Sequence, residues 1–150
     1  MTRILEQLEA EERFVPHAYQ DHLGFLTIGM GRLIDKRSGG GITHDEALYL
    51  LGNDVARITH DLVRRFRWFD GLDAARQAVL VGMAFQMGVN GLLGFERTLL
   101  LIEARQFDAA AAAMLTSKWA TQTPGRAARM AEQMRTGEWQ FPSGHKPQGE

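Results

Sequence analysis

Residues 14–34 read FVPHAYQDHLGFLTIGMGRLI, and the fold turns on how this stretch is interpreted. Pro16, Gly24, Gly29 and Gly31 cut it into short segments such as FLTIG, and Asp21-His22-Leu23-Gly24 has the composition of a turn. Short segments bounded in this way predict a small antiparallel hairpin or three-stranded sheet. What surrounds it is helical. Upstream, residues 2–11 place Ile4, Leu5 and Leu8 at helical spacing behind a candidate N-cap at Thr2. Downstream, residues 37–41 (RSGGG) predict a flexible loop. Thr43-His44-Asp45-Glu46 then forms a capping box, in which the Thr hydroxyl and Glu carboxylate satisfy orphan amides at a helix start. Ala47, Leu51, Val55, Ile58 and Leu62 recur behind it on one face, which predicts one long amphipathic helix to about Arg65.

From Asp73 onward the pattern is helical throughout. Residues 79–87 are apolar on nearly every side apart from Gln86, which predicts a helix enclosed by others. Further helices are expected at roughly 96–105, 108–116 and 124–134; Pro124 sits at a favoured first-turn position and the last helix stops near Gly137. The alanine run 109–113 reads as high helix propensity. The expected fold class is α+β and predominantly helical. It has two lobes, a small antiparallel β-sheet lobe being joined by a long helix to a helical bundle. In residue terms, 1–139 form a single domain: 12–42 the small β lobe, 43–66 the connecting helix, 1–11 and 67–139 the helical lobe. Residues 140–150 are expected to be a flexible tail.

Composition narrows the function classes. With 17 basic and 18 acidic side chains the net charge is -1, which lacks the positive excess of a general nucleic-acid binder. Charge is unevenly placed: Glu6, Glu9, Glu11 and Glu12 outnumber Arg3, whereas Lys118, Arg126, Arg129 and Arg135 face Glu132 alone. Solvated helix faces and two oppositely charged cleft walls both fit that pattern. Cysteine is absent, so a disulfide scaffold or a Cys-based site is excluded. The histidines (17, 22, 44, 60 and 145) show no zinc spacing, and neither a metal nor a cofactor is expected. The N-terminal MTRILEQLEAEERF lacks the apolar region of a secretory signal, and no run approaches the roughly 18 apolar residues of a membrane span. The expectation is a chain made soluble in the cytoplasm, without stable membrane insertion.

Chemistry concentrates in Glu11-Glu12, then Tyr19-Gln20-Asp21, then Thr27-Ile28-Gly29-Met30-Gly31. Glycoside hydrolysis needs a protonated carboxylic acid for the leaving oxygen and an ionised carboxylate that activates water or stabilises the oxocarbenium-like centre. A Glu at a partly buried helix end and an Asp on a wetter turn suit those two roles. Thr27 can hold the water beside Asp21 through its hydroxyl, and glycines 29 and 31 let backbone approach a bulky sugar. By spacing alone, a solvating Glu and a turn-forming Asp fit equally well.

The pattern Glu12…Tyr19-x-Asp21…Gly24-x-x-Thr27-Ile28-Gly29-x-Gly31 resembles the active-site block of the phage-type lysozymes, glycoside hydrolase family 24. Five further ordered blocks extend the resemblance over roughly residues 4–139, among them Phe85-Gln86-Met87-Gly88 and Trp119-x-x-Gln122-Thr123-Pro124-x-Arg126. The resemblance implies a lysozyme-like two-lobed fold and hydrolysis, with inversion, of the bond between N-acetylmuramic acid and N-acetylglucosamine in peptidoglycan. It implies Glu12 as general acid, Asp21 as second carboxylate and Thr27 as the hydroxyl beside it. Leu33, Phe85 and Thr98 match positions lining the saccharide cleft, and Arg126 a basic residue approaching the catalytic Glu. It also implies a monomeric endolysin, held in the host cytoplasm until a holin-type pore gives access to the wall. A lytic transglycosylase on the same bond and a non-catalytic peptidoglycan-binding module are the rival readings; retention of Asp21 and Thr27 favours hydrolysis.

Departures from the family pattern carry expectations too. Arg13 stands where Gly is usual, so a residue with a side chain must make the bend into the sheet. Arg32 replaces a common His, Ala113 replaces a cleft amide, and the loop 35–41 is short. Met83, Met87, Met130 and Met134 are expected in the core, and Trp119 and Trp139 in the packing of the C-terminal helices rather than on sugars. The Arg64-Arg65-Arg67 cluster reads as a solvated helix end.

Overall fold

The computed structural model describes residues 2–36 and 39–145. Its contacts divide the chain into two compact units, residues 1–51 and 52–150. The first unit holds helix α1 (Thr2–Glu12) and strands β1 (Val15–Gln20), β2 (Leu26–Gly29) and β3 (Arg32–Leu33). The strands form one antiparallel sheet in the order β1-β2-β3. Register is set by Tyr19 opposite Thr27 and by Thr27 opposite Leu33, so the central strand carries Thr27 between two neighbours. The cap expected at Thr2, positions 37 and 38 of the glycine loop, and tail residues 146–150 lie outside the described side chains.

Helix α2 (His44–Arg65) begins where the capping box predicts. The Thr43 amide donates to Glu46 Oε2 at 2.7 Å, and the Glu46 amide donates to Thr43 Oγ1 at 3.2 Å. The bond from Thr43 outweighs some desolvation and, with Arg32 adding to it, lowers the Glu46 pKa below its ordinary value. Arg32 therefore ties β3 to the start of α2 through an ion pair with Glu46, and its Nε also donates to the Gly41 carbonyl at 3.2 Å. The departure from His at this position is thus filled by a pairing of its own.

The second unit contains the rest of α2, a 3₁₀ turn (Phe69–Gly71), α3 (Ala74–Leu93), α4 (Glu96–Glu103), α5 (Phe107–Leu115), α6 (Lys118–Gln122) and α7 (Pro124–Thr136). Leu62, Phe69, Leu80, Met83, Leu92, Ile102, Met114 and Met134 are its fully buried large side chains. Small residues let the helices close on them. Ala110 and Ala111 are buried where α5 meets α4 and α7, so the alanine run packs a helix interface as well as favouring helix. Gly82 does the same on α3: a Cβ there would lie 2.7 Å from the Met130 methyl of α7. Met87 and Met130 are partly buried against the same core. Among the described residues, no single helix is long and apolar enough to cross a membrane.

Helix α3 departs from the enclosed helix expected over 79–87. Val79, Leu80, Met83 and Ala84 are buried, but Phe85 is 47% exposed. Three residues on, Gly88 breaks the helix with φ 79 and ψ 159. That conformation is open essentially to glycine alone. At the other end of α3, Asp73 caps the helix by accepting from the Arg76 amide. Arg76 reaches across to the C-terminus of α7, donating to the carbonyls of Met134 (2.7 Å) and Arg135 (3.0 Å), and its guanidinium stacks on Phe107. A cation there satisfies last-turn carbonyls that the helix cannot. Helix α7 then stops at Gly137, left-handed with φ 75, as expected from the sequence.

Gly88→Ala should cost about 1–3 kcal/mol in denaturant unfolding, because no L side chain tolerates that backbone. Burial raises the Asp73 carboxyl, but the bonds from Arg76 and the charge of Arg76 outweigh it, so its pKa falls below the ordinary aspartate value. A depressed folded pKa contributes stability above the ordinary aspartate range and loses it as pH falls toward the folded value. Asp73→Asn should therefore flatten the acid limb of a melting-temperature profile while lowering the plateau near neutrality.

Candidate active site

The catalytic candidates of the sequence sit within the first unit. Helix α1 ends at Glu12, and the chain bends into β1 through Arg13, which takes φ 60. A non-glycine residue does make the left-handed bend, as the missing glycine required. This costs about 1–2 kcal/mol in an L residue, and the Arg13 amide recovers a bond to the Glu9 carbonyl at 3.0 Å.

Glu12 is directed at the β2–β3 turn. A Cβ built on Gly31 would lie 2.6 Å from Glu12 Oε2 and 3.1 Å from its carboxyl carbon. The space beside the Gly31 Cα is occupied by the Glu12 carboxylate, which corrects the reading of Gly31 as room for a sugar. Gly29, by contrast, has open space where its Cβ would be. Glu12 itself is exposed, whereas Asp21 is the more shielded of the two. The burial contrast expected from the sequence is thus reversed within these units, because α1 exposes its C-terminal turn and Asp21 is folded into its own hairpin.

Asp21 organises the β1–β2 hairpin. Its Oδ1 accepts from the amides of Leu23 (2.9 Å) and Phe25 (2.8 Å), while its own amide donates to the Phe25 carbonyl at 2.8 Å. Gly24, at φ 82, closes the turn and donates to the Asp21 carbonyl. The two amide bonds fix the orientation of the carboxylate. Pairing of Gln20 with Leu26 puts Asp21 across from Phe25, and side-chain alternation then sets Asp21 and Thr27 on the same face. Thr27 is buried and its hydroxyl donates to the Phe25 carbonyl at 3.1 Å, leaving the oxygen to accept. Leu33, directly across β3 from Thr27, shares that face and is half-buried. The sheet thus carries Thr27 and Leu33 on one face, with Asp21 just past the end of β1 and Glu12 seated at the β2–β3 turn.

The remaining candidates belong to the helical unit. Phe85 is exposed on α3 just before the Gly88 break. Thr98 is buried on α4 and lines a cavity of about 390 Å³ with Phe95, Arg97, Ala113, Lys118 and Trp119. Arg126, on α7, is half-buried and donates to the Gly82 carbonyl at 3.3 Å. Trp119 is buried as expected, packing edge-on to Phe95, and its indole N–H donates to Gln86 Oε1 at 2.9 Å. That bond was not foreseen, although Gln86 stood out as the one polar residue in an apolar run.

The model of the family described as phage lysozyme matches residues 9–138 of this chain, a span that contains every one of these candidates. The chain belongs to the phage lysozyme family. A member of this family is a lysozyme-type glycosidase and peptidoglycan hydrolase. Relatives agree. Probable T4-type lysozyme 1 of Dictyostelium discoideum is 29% identical, over 91% of this chain and 96% of its own length. The pre-baseplate central spike protein Gp5 of Enterobacteria phage T4 is 31% identical over 88% of this chain and 27% of its own. Peptidoglycan hydrolase gp36 of Pseudomonas phage phiKMV is 30% identical over 86% of this chain and 15% of its own. This lysozyme therefore spans nearly all of one relative and a minor part of two others.

Gly31→Ala should displace the Glu12 carboxylate and force an L residue into φ 75. The expected outcome is a fall of about tenfold or more in turbidity clearing, with a stability loss of about 1–2 kcal/mol. Parallel clearing and unfolding measurements separate the two effects.

Proposed function

We propose that this lysozyme hydrolyses the β-1,4 bond between N-acetylmuramic acid and N-acetylglucosamine with inversion, Glu12 acting as general acid and Asp21 directing water. The observation that carries this reading is the pairing of two differently held carboxylates in one small unit. Glu12 is exposed and lies against Gly31, with freedom to meet a leaving oxygen. Asp21 is locked by two amides, and beside it Thr27 offers an acceptor oxygen for the water it would direct. In an inverting reaction the base polarises a water on the face opposite the departing sugar, so the carboxyls stand about 6.5–9.5 Å apart, leaving room for that water. Leu33, Phe85, Thr98 and Arg126 are assigned to binding the glycan, and no cofactor takes part in the proposed chemistry.

The biological role we assign is lysis of a bacterial host by a monomeric endolysin, stored in the host cytoplasm and admitted to the wall by a holin-type pore. A second setting is a domain carried within a larger protein, since this chain matches 27% of the length of the pre-baseplate central spike protein of phage T4. The chemistry is the same in both.

Glu12→Gln and Asp21→Ala are each expected to lower clearing of purified peptidoglycan by about 100-fold or more, with melting temperatures close to that of the parent. Mass analysis of the products should show reducing-end N-acetylmuramic acid. An anhydro sugar would replace the hydrolytic mechanism by a transglycosylase, and unchanged clearing by Glu12→Gln would remove the catalytic assignment.

A further inference from the structure

Two places on the helical unit set aromatic rings beside polar groups. At the end of the chain, Trp139 is 53% exposed instead of packing among the C-terminal helices as the sequence suggested. Its ring lies nearly parallel to that of Phe141, with centroids 6.4 Å apart, and the Gln140 amide donates to Oε1 of the buried Gln133 at 3.0 Å. The described part of the tail, expected to be loose, is therefore pinned, and its rings meet one another. The second place is the cavity at the start of α4.

That cavity, of about 390 Å³, is lined by Phe95, Arg97, Thr98, Ala113, Lys118 and Trp119 among others. Thr98 is 3% exposed, and its hydroxyl has no hydrogen-bond partner among the described residues. A buried hydroxyl without a partner costs stability unless something from outside the chain meets it. Thr98 is also the third residue of α4, whose N-cap, Phe95, makes no side-chain cap. The first-turn amides thus present donors at the positive end of the helix. Arg97 and Lys118 are exposed, and neither forms an ion pair among the described residues.

The other hydroxyls of the lining are engaged. Ser117 Oγ donates to the Met114 carbonyl at 2.7 Å and accepts from the Ala120 amide at 3.2 Å, and Thr116 Oγ1 donates to the Ala113 carbonyl at 2.9 Å. Ala113, standing where the family has an amide, adds no polar side-chain atom. Glu96 is the one acid among the described lining residues, and it is exposed on the first turn of α4. What remains unused is a set of donors and two cations.

We propose that this cavity is a subsite for a carboxylate of an acidic peptide, the peptide stem carried on the glycan strand, and that Arg97 and Lys118 make the lysozyme prefer stems with free carboxylates over amidated ones. The proposal rests on peptidoglycan being the substrate. A carboxylate offers acceptor lone pairs alone, which suits unused amides, a free hydroxyl and cationic nitrogens. Sugar hydroxyls donate as well as accept, and Ala113 gives them no amide oxygen to meet. Bonds from a cation to a carboxylate are roughly twice as strong as neutral ones, so an amide of the same shape is bound less well. Phe95 and Trp119, edge-on with centroids 6.0 Å apart, supply an apolar wall for the alanine methyls that flank those carboxylates in a stem.

The test uses the full chain and soluble glycan fragments whose stem carboxylates are either free or amidated, with kcat/KM measured on each by product release. The parent should favour the free-carboxylate fragments by about fivefold or more, chiefly through KM, and the preference should shrink as salt is raised. Arg97→Gln combined with Lys118→Gln should bring the ratio to within about twofold of unity, whereas Lys118→Arg should keep it. Glu96→Gln should raise it, because the two cations then lose an opposing charge. Melting temperatures report that each variant keeps the fold. A parent without preference overturns the subsite. So does a preference that survives the double variant, or a double variant that slows both fragments equally. A parent that cuts neither fragment removes the peptidoglycan reading itself, which is a separate result.

Discussion

The proposed catalytic end of this lysozyme depends on a missing side chain. The Glu12 carboxylate occupies the space that any residue but glycine would fill at position 31. Two backbone constraints produce that contact. Arg13 bends left-handed so that α1 ends facing the sheet, and Gly31 turns left-handed so that β2 can lead into β3. Each is costly for an L residue, and only one of the two positions is a glycine. The strain at Arg13 and the freedom at Gly31 together place the proposed acid, and active sites are where backbone strain tends to be found.

Asp21 is placed by a different logic. Its carboxylate is a structural part of the hairpin, accepting amides two and four residues ahead. The residue proposed to steer water is thus oriented by the turn it creates, and Thr27 is set beside it by strand register. A hairpin of this kind is short-range and needs little else of the fold. The helical unit obeys longer-range rules: small residues at positions such as Gly82, Ala110 and Ala111 let helices approach, and Arg76 joins the start of α3 to the end of α7. Its core is continuous, so the loss of one contact is shared among many.

Several local features could be read from the chain because their causes are local. The capping box at Thr43 and Glu46 needs only residues three apart, and the stop at Gly137 needs only a left-handed residue. The candidate carboxylates were legible through their residue pattern, and the match to the phage lysozyme family over residues 9–138 follows that pattern. Where reading failed, the cause was a contact between distant positions. Nothing near Gly31 announces that Glu12, nineteen positions earlier, claims its Cβ space. Nothing near Gln140 announces that Gln133 will hold it.

The sequence by itself determined where α2 begins and where α7 stops, that a small sheet falls between α1 and α2 along the chain, and which acids and hydroxyl could serve a glycosidase. Those follow from periodicity, capping and turn chemistry, which act within a few residues. The short helix α6 was not foreseen. Tertiary structure alone decided that Glu12 is exposed and seated on glycine, that Phe85 is exposed on α3, and that Trp139 is half exposed. Exposure and side-chain contact depend on which distant residues fill the neighbouring volume, and no local pattern encodes that.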